Sequence, residues 1–301
     1  MNILLTGANG YVGSYLIGAL LFEGHCVTTL TRRPFAREGT HNVIVGGYNS
    51  ALLSPHMVGQ DVVIHLAGLA HSSGNKETLS SLYMQVNVDQ SLTLAQEAKA
   101  AGVKRFVFIS SIKVNGEATV AGSPFRADMM PSPEDAYGKS KWAAEQALMK
   151  LFKDSQTELV IVRPPLVWGG DVKGNLLLLR KLTTWGVPLP IGSLKNRRDL
   201  VSLENLSSFI CVLVHHPQAA GQTFLVSDGM ARNLAQIVVL NANQGNKPRI
   251  LRFPEWFIVR LARLFGMERR LVGNLEVDIS PSYYLLGWLP NDQRLLDNKR
   301  L

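Results

Sequence analysis

Three side chains in the middle of the chain could together move a proton on and off an oxygen: Ser111, Tyr137 and Lys141. Tyr137 and Lys141 stand four residues apart in Ala136-Tyr137-Gly138-Lys139-Ser140-Lys141, which puts them on one face of a helix. A phenol titrates near ~10 and is a poor base at neutral pH. A lysine one turn away and a positively charged ring beside it both favour the phenolate. A serine hydroxyl at a strand end could hold the same substrate oxygen. Such a trio suits a reaction in which that oxygen exchanges a proton while its carbon exchanges a hydride with a nicotinamide. Tyrosine and lysine at this spacing are common, so the trio gains meaning only from what precedes it.

What precedes it is the opening MNILLTGANGYVG. The apolar run Ile3, Leu4, Leu5 is followed by Thr6 and three glycines, Gly7, Gly10 and Gly13, and then by an apolar stretch from Tyr15 to Leu21. This order predicts a strand, a tight turn and a helix start. Glycines there let the backbone approach a pyrophosphate, and the bare N–H groups and dipole of the helix start attract it. The spacing is G-x-x-G-x-x-G rather than G-x-G-x-x-G, and its place straight after an apolar strand gives it weight. A dinucleotide site over Gly7, Gly10, Tyr11, Val12 and Gly13 is expected rather than a plain structural turn. The second strand, Cys26 to Leu30, ends in Thr31-Arg32-Arg33-Pro34. An acid commonly holds the ribose 2′-hydroxyl near here. A carboxylate would repel a 2′-phosphate and an arginine would pair with it. The segment therefore favours NADP(H), with NAD as the other possibility if both arginines are ordinary loop charges.

The elements that must position these groups alternate. Asn42 to Val45 is a third strand, and Asp61 to Leu66 a fourth, apolar enough for burial on both faces and running into Ala67-Gly68. His65 reads as a packed core histidine, and His71 in the next loop is a weak catalytic candidate. Leu79 to Ala101 has helical periodicity, contains Asn87 and stops at Gly102. Arg105 to Ser110 is a fifth strand, the tyrosine motif opens the apolar-patterned helix Trp142 to Phe152, and Glu158 to Arg163 is a sixth strand closed by Pro164-Pro165. This predicts an α/β fold, a Rossmann-type doubly wound parallel sheet with right-handed crossovers. Residues 1–165 form the dinucleotide-binding domain. Leu200-Val201 and Thr223 to Val226 read as later strands from the second half, where some return to the sheet. Residues 166–301 are mostly a smaller C-terminal substrate-binding lobe, with a helix over Asn175 to Trp185. Ligands sit beyond the carboxyl ends of such strands, where Gly7, Gly68 and Ser111 all fall.

Bulk properties narrow the classes. With 46% hydrophobic and 18% charged residues over 301 positions, a sizeable core is expected and disorder is not. No apolar run reaches ~18 residues, so no transmembrane helix is expected. The N-terminus reads as the first strand, leaving no room for a signal peptide. Cys26 and Cys211 both read as buried packing residues, which points to a reducing compartment and a cytoplasmic location. A net charge of +8 favours anionic ligands. Basic and acidic residues interleave until the last third, which argues against nucleic acid. No Cys/His/Asp cluster has metal spacing. Apolar and basic residues interleave over 255–266 (EWFIVRLARLFG), suiting either an interfacial membrane helix or, preferably, one packed on the lobe.

The order of motifs resembles the extended short-chain dehydrogenase/reductases of the NAD-dependent epimerase/dehydratase family. The matching stretches are TGANGYVG (6–13), DVVIHLAG (61–68), Asn87 in VNV, FVFISSIKVNGE (106–117), YGKSK (137–141), VRPPLVWG (162–169), RRDLVSLENL (197–206) and LEVDISPSYYLLGW (275–288), essentially the whole chain. The resemblance implies that Tyr137 is the acid or base, that Lys141 binds the nicotinamide ribose and tunes Tyr137, and that Ser111 holds the substrate oxygen, with Ser110 as its alternative. It implies cofactor contacts at Thr31, Arg32, Arg33, Leu66, Ala67, Gly68, Asn87, Ser110 and Pro164. Lys113, Asn175, Arg197 and Arg198 would meet the substrate, the arginines at its diphosphate unless they are plain surface charges. Pro188 to Ile191 could line a uridine. A homodimer through Leu79–Ala101 and Trp142–Phe152 is also implied.

Departures from the family pattern narrow the activity. The dehydratase branch carries an acidic pair where this chain has Ile112 and Lys113, which argues against dehydration. The acid that holds NAD in the epimerase branch is here Thr31, and another after the third strand is missing at Gly46-Gly47-Tyr48. These departures favour a reductase of a UDP-linked 4-keto (6-deoxy) sugar using NADPH, in bacterial polysaccharide precursor synthesis. The alternative is a UDP-sugar 4-epimerase, of UDP-glucose or UDP-N-acetylglucosamine type, with tightly held NAD. A non-catalytic NADP-sensing protein is a third reading, against which the intact Ser/Tyr/Lys set argues.

Overall fold

The apolar runs assemble as parallel strands with helices on both faces. The structure is a computed structural model that describes residues 1–70, 75–170, 174–242, 247–264 and 268–291. Strand β1 (Asn2–Thr6) turns through the glycines into α1 (Tyr11–Phe22), followed by β2 (Cys26–Thr31), β3 (Thr40–Ile44), α2 (Ser50–Met57) and β4 (Val62–His65). The predicted helix over 79–101 is α3 (Lys76–Met84) and α4 (Gln90–Ala100), joined by a π turn at Gln85–Asp89 that carries Asn87. Then come β5 (Arg105–Ile109), α5 (Ala136–Phe152), β6 (Glu158–Arg163), β7 (Leu166–Trp168), α6 (Gly174–Thr184), β8 (Leu200–Ser202), α7 (Leu203–His215) and β9 (Thr223–Leu225). Helices α8 (Leu234–Leu240), α9 (Glu255–Leu264), α10 (Glu268–Leu271) and α11 (Ser280–Leu286) follow.

The main sheet is parallel, in the order β3-β2-β1-β4-β5-β6-β9. Its direction of growth reverses between β1 and β4, the crevice where doubly wound sheets bind ligands. β4 and β5 are buried at every position, as a parallel strand covered on both faces must be. One core, around Leu5, Ile64 and Val107, lies under α1 and α7; the other, around Leu4, Phe106 and Phe108, lies under α2, α4 and α5. β9 joins the main sheet beside β6, whereas β8 pairs with β7 in a separate two-stranded parallel sheet. Helix α9 packs Ile258 into a further apolar cluster with Leu189, Leu194 and Val238.

One expectation needs correction. Cys26 is exposed at the start of β2; only Cys211 is buried. The tyrosine motif opens helix α5 as expected, and Asp135 caps it: its carboxylate accepts from the Gly138 N–H at 2.7 Å.

Candidate active site

The glycine turn is built so that only glycine fits. Gly7 has φ +71°, and a Cβ there would lie 2.8 Å from the Ala67 nitrogen. A Cβ on Gly13 would lie 2.2 Å from the Gly7 carbonyl oxygen. The turn therefore brings the start of α1 against the ends of β1 and β4 with bare backbone, a cradle that fits a dinucleotide's pyrophosphate. Tyr11 donates its hydroxyl to the Gly169 carbonyl at 2.5 Å, tying the turn to the loop after β7, and Val12 packs against the α1 core. Thr31 is buried at the end of β2 and donates to the Arg33 carbonyl at 2.8 Å, while Arg32 and Arg33 are exposed beside it.

The loop after β4 is held at both ends. The Ala67 N–H donates to Thr6 Oγ1 at 3.2 Å. The Leu69 N–H donates to Asn87 Oδ1 at 2.7 Å, and the Asn87 amide returns a bond to the Leu69 carbonyl at 3.1 Å. Asn87 also donates to Ser140 Oγ at 2.9 Å, and Ser140 donates to the Tyr137 carbonyl at 2.8 Å. A buried chain thus joins the loop after β4 to the helix of the tyrosine. His65 is the packed core histidine the sequence suggests: it is 1% exposed, both ring nitrogens are bonded, and burial holds it neutral, pushed down to about 3. His71 lies outside the described residues.

Tyr137 and Lys141 sit on the same face of α5. The half-buried Tyr137 phenol is pushed up to about 12 by burial, and its hydrogen bond with Ser111 pulls the other way. The Lys141 ammonium, one turn further along the helix, donates to the Ile109 carbonyl at 2.9 Å, over the Phe108 ring. Burial pushes this ammonium down to about 8, against the pull of Glu145. A Cβ on Gly68 would meet Lys141 Nζ at 3.2 Å and Asn87 Oδ1 at 3.1 Å, so the missing side chain opens the cleft over both groups. The arrangement brings a phenol, a hydroxyl and an ammonium to the end of β5, beside the turn at β1: it can exchange one proton with an oxygen presented to Ser111 and Tyr137.

The other expected residues divide. Ser110 donates to Glu145 at 2.5 Å, so its hydroxyl serves the interior, and the Pro164 carbonyl accepts from the Ile112 N–H at 3.0 Å. Leu66 packs against the α1 core. The Lys113 ammonium is bound by Asp135 and by Glu117 at 2.9 Å; burial pulls it down, but the two carboxylates hold it above the usual lysine range. Arg198 donates to the Gly273 and Arg269 carbonyls at 2.8 and 3.2 Å; burial lowers it and the charge of Glu117 opposes this. Lys113 is thus held by carboxylates and Arg198 by backbone carbonyls. Arg197 instead is exposed and pairs with Glu276 at 2.7 Å. The side chain of Asn175 lies outside the described residues.

The sequence reading missed Glu145 and Arg163. Arg163 donates to the carboxylate through Nε and Nη2, the shortest contact being 2.6 Å, and through Nη1 to Asn115 at 3.0 Å. Glu145 continues the 137–141 spacing by one more turn, and Arg163 follows four apolar residues, Leu159 to Val162, at the end of its strand. An acid on the buried face of a helix and a base in a core strand are the signal that could have found them.

The chain matches the NAD dependent epimerase/dehydratase family over residues 3–227. It is 41% identical over 297 residues to a UDP-glucose 4-epimerase of Vibrio cholerae, covering 96% of this chain and 90% of the relative. Among solved structures it resembles a short-chain dehydrogenase/reductase superfamily protein of Agrobacterium tumefaciens with bound NAD (TM-score 0.76, 20% identity, 100% of both chains). It also resembles the UDP-glucose 4-epimerase of Thermotoga maritima with UDP-glucose (TM-score 0.74, 19% identity, 97% of this chain and 94% of that one). At these identities the structures speak for the fold.

Proposed function

The chain belongs to the NAD dependent epimerase/dehydratase family, and from that premise we propose that it is a UDP-sugar 4-epimerase. It is an NAD-dependent enzyme of the nucleotide-sugar epimerase/dehydratase type. The observation that carries the finer reading is the Ser111–Tyr137 hydrogen bond at the end of β5, with Lys141 one turn further along α5. The likeness to the Vibrio cholerae 4-epimerase along nearly all of both chains supports it over reduction.

Gly7, Gly10 and Gly13 would hold the pyrophosphate and Lys141 the nicotinamide ribose. Bound NAD supplies a reversible hydride acceptor for carbon 4. Ser111 holds the 4-oxygen, and Tyr137 takes its proton as that carbon is oxidised and returns it on reduction, so the cycle consumes nothing. Burial pushes the phenol up to about 12, and a positive nicotinamide together with the Lys141 ammonium one turn away would pull it toward phenolate. Lys113 and Arg198 would meet the substrate diphosphate from the lobe side. Dehydration is not proposed: Ile112 is buried and Lys113 is ion-paired where that branch has its acids.

A second reading, the NADPH-dependent 4-keto-sugar reductase, is favoured by one feature, the Thr31-Arg32-Arg33 end of β2. One experiment separates the two. The purified protein, denatured, is assayed for released NAD, and the native protein is given UDP-glucose or UDP-N-acetylglucosamine without added cofactor. Interconversion at carbon 4 with retained NAD supports the epimerase. NADPH consumption with a UDP-4-keto sugar, and no interconversion, overturns it. A homodimer through α3, α4 and α5 accompanies this reading; Leu82, Met84 and Met149 are exposed on these helices, and light scattering after gel filtration tests it.

A further inference from the structure

Helix α9 uses only half of its apolar surface in the fold. Ile258 and Ala262, one turn apart, are buried against the lobe. On the outer side Trp256 is 68% and Leu264 77% exposed, with Phe257 and Arg260 exposed between them. The approach to the helix continues the face: Leu251, Arg252 and Phe253 are all exposed, and the Phe253 and Phe257 rings lie 6.1 Å apart. The charge is one-sided. Residues 247–271 contain seven basic side chains and two acidic ones, five of the chain's eight net positive charges.

We propose that this face docks the enzyme on the surface of an anionic phospholipid bilayer. The argument is complementarity. Exposed tryptophan, phenylalanine and leucine interleaved with arginine suit a boundary that offers headgroup phosphates and, just beneath them, acyl chains. A nucleic-acid backbone would satisfy the arginines and leave the Trp256 and Leu264 side chains in water. A second copy of this chain, meeting through a two-fold, would press two basic faces together. No described helix is long and apolar enough to cross a membrane, so the contact is interfacial. Helix α10, next along the chain, contacts the segment before the tyrosine motif: Arg269 pairs with Glu134, three residues before Tyr137, and gives its carbonyl to Arg198.

The test is co-sedimentation of the full-length protein with vesicles of mixed phosphatidylglycerol and phosphatidylcholine, against vesicles of phosphatidylcholine alone. The expected result is partitioning onto the anionic vesicles that weakens as salt rises. Arg260→Gln should weaken it about fivefold, the share of one basic residue at such a surface. Trp256→Ser with Phe257→Ser should weaken it about tenfold or more. Neither variant should change turnover of UDP-sugar in free solution or the circular dichroism spectrum. Equal binding to neutral and anionic vesicles, no binding to either, or variants that bind as the parent does would overturn the proposal. So would a Trp256→Ser, Phe257→Ser variant that splits a dimer and leaves vesicle binding unchanged, because the face would then be a contact between copies.

Discussion

Replacing Glu145 by glutamine should destabilise the enzyme more than any substitution at its surface. Glu145 is 0% and Arg163 2% exposed, and the carboxylate receives Ser110 Oγ at 2.5 Å and three guanidinium contacts between 2.6 and 3.2 Å. Glutamine keeps the shape and one acceptor but removes the charge, and turns an N–H₂ toward a guanidinium that has no water to turn to. Breaking a buried pair on one side costs about 3–5 kcal/mol. At ~2 °C per kcal/mol for a chain of this length, Tm should fall about 6–10 °C by calorimetry. Removing both charges behaves differently, since a buried pair replaced by apolar residues of like volume is often near neutral. The double variant Glu145→Leu, Arg163→Met should recover most of the loss, less about 1 kcal/mol for the Asn115 amide that Arg163 also holds. Glu145→Leu, Arg163→Met and the double close a cycle whose coupling should reach about 5 kcal/mol or more, since each single leaves one buried charge unpaired and the double leaves none. A single-variant cost under about 1 kcal/mol, or strict additivity, would refute the assignment of this pair as the buried anchor of the β5 and β6 ends.

Tyr137→Phe should keep the melting temperature and dinucleotide retention while turnover of UDP-sugar falls about 10²–10⁴-fold, as removal of a general acid–base does; retained turnover refutes its role. Gly13→Ala places a Cβ 2.2 Å from the Gly7 oxygen and should abolish dinucleotide retention, whereas Gly18→Ala on the same helix meets only Arg37 at 3.8 Å and should be neutral or stabilise by about 0.5–1 kcal/mol; equal behaviour of the two would defeat the cradle. Asp199 is 7% exposed and burial pushes its carboxyl up from 3.8 to about 6, with the Val277 N–H pulling the other way. Between those values the folded state binds more protons than the unfolded one, so stability falls as pH rises from about 4 through 6, by at most about 3 kcal/mol. Asp199→Asn should therefore raise Tm at pH 8 relative to the parent and lose that advantage near pH 4; the same difference at both pH values would show that ionisation is not the cause.

The sheet and the Ser111, Tyr137 and Lys141 positions were legible because they announce themselves locally. β4 and β5 are unbroken apolar runs, the glycine turn follows a strand, and 137 and 141 share a helix face whatever the rest of the chain does. The preference for reduction over epimerisation was drawn from Thr31, Arg32 and Arg33, exposed or strand-end residues whose partners are ligands rather than protein. Lys113 and Arg198 illustrate a second limit. Both read in the sequence as single cations, and only the folded chain shows that Lys113 pairs with Glu117 and Asp135, that Arg198 donates to the Gly273 carbonyl, and that Arg197 beside it pairs with Glu276.

The least legible part is the buried polar chain Thr6–His65–Ser91–Asn87–Ser140. Its proton directions follow from its ends. Ser91 donates to the Asn87 carbonyl at 2.7 Å, so it accepts from His65 Nε2 at 2.8 Å. Nδ1 is then the acceptor, and Thr6 donates to it at 2.7 Å while accepting from the Ala67 N–H. A neutral imidazole fits that sequence, and a protonated one would set two donors, Nδ1–H and the Thr6 hydroxyl, against each other unless Thr6 turned away. Each member alone reads as an ordinary polar residue in an apolar element, and the contacts join positions up to 59 residues apart. Yet together they fix Ala67 from the β1 side and Leu69 from the α5 side, so the backbone flanking Gly68, over Lys141, is held by hydrogen bonds rather than by packing. Positioning at this site therefore rests on side chains that carry no chemistry of their own, because their pairing is a property of the strand order and not of any local spacing.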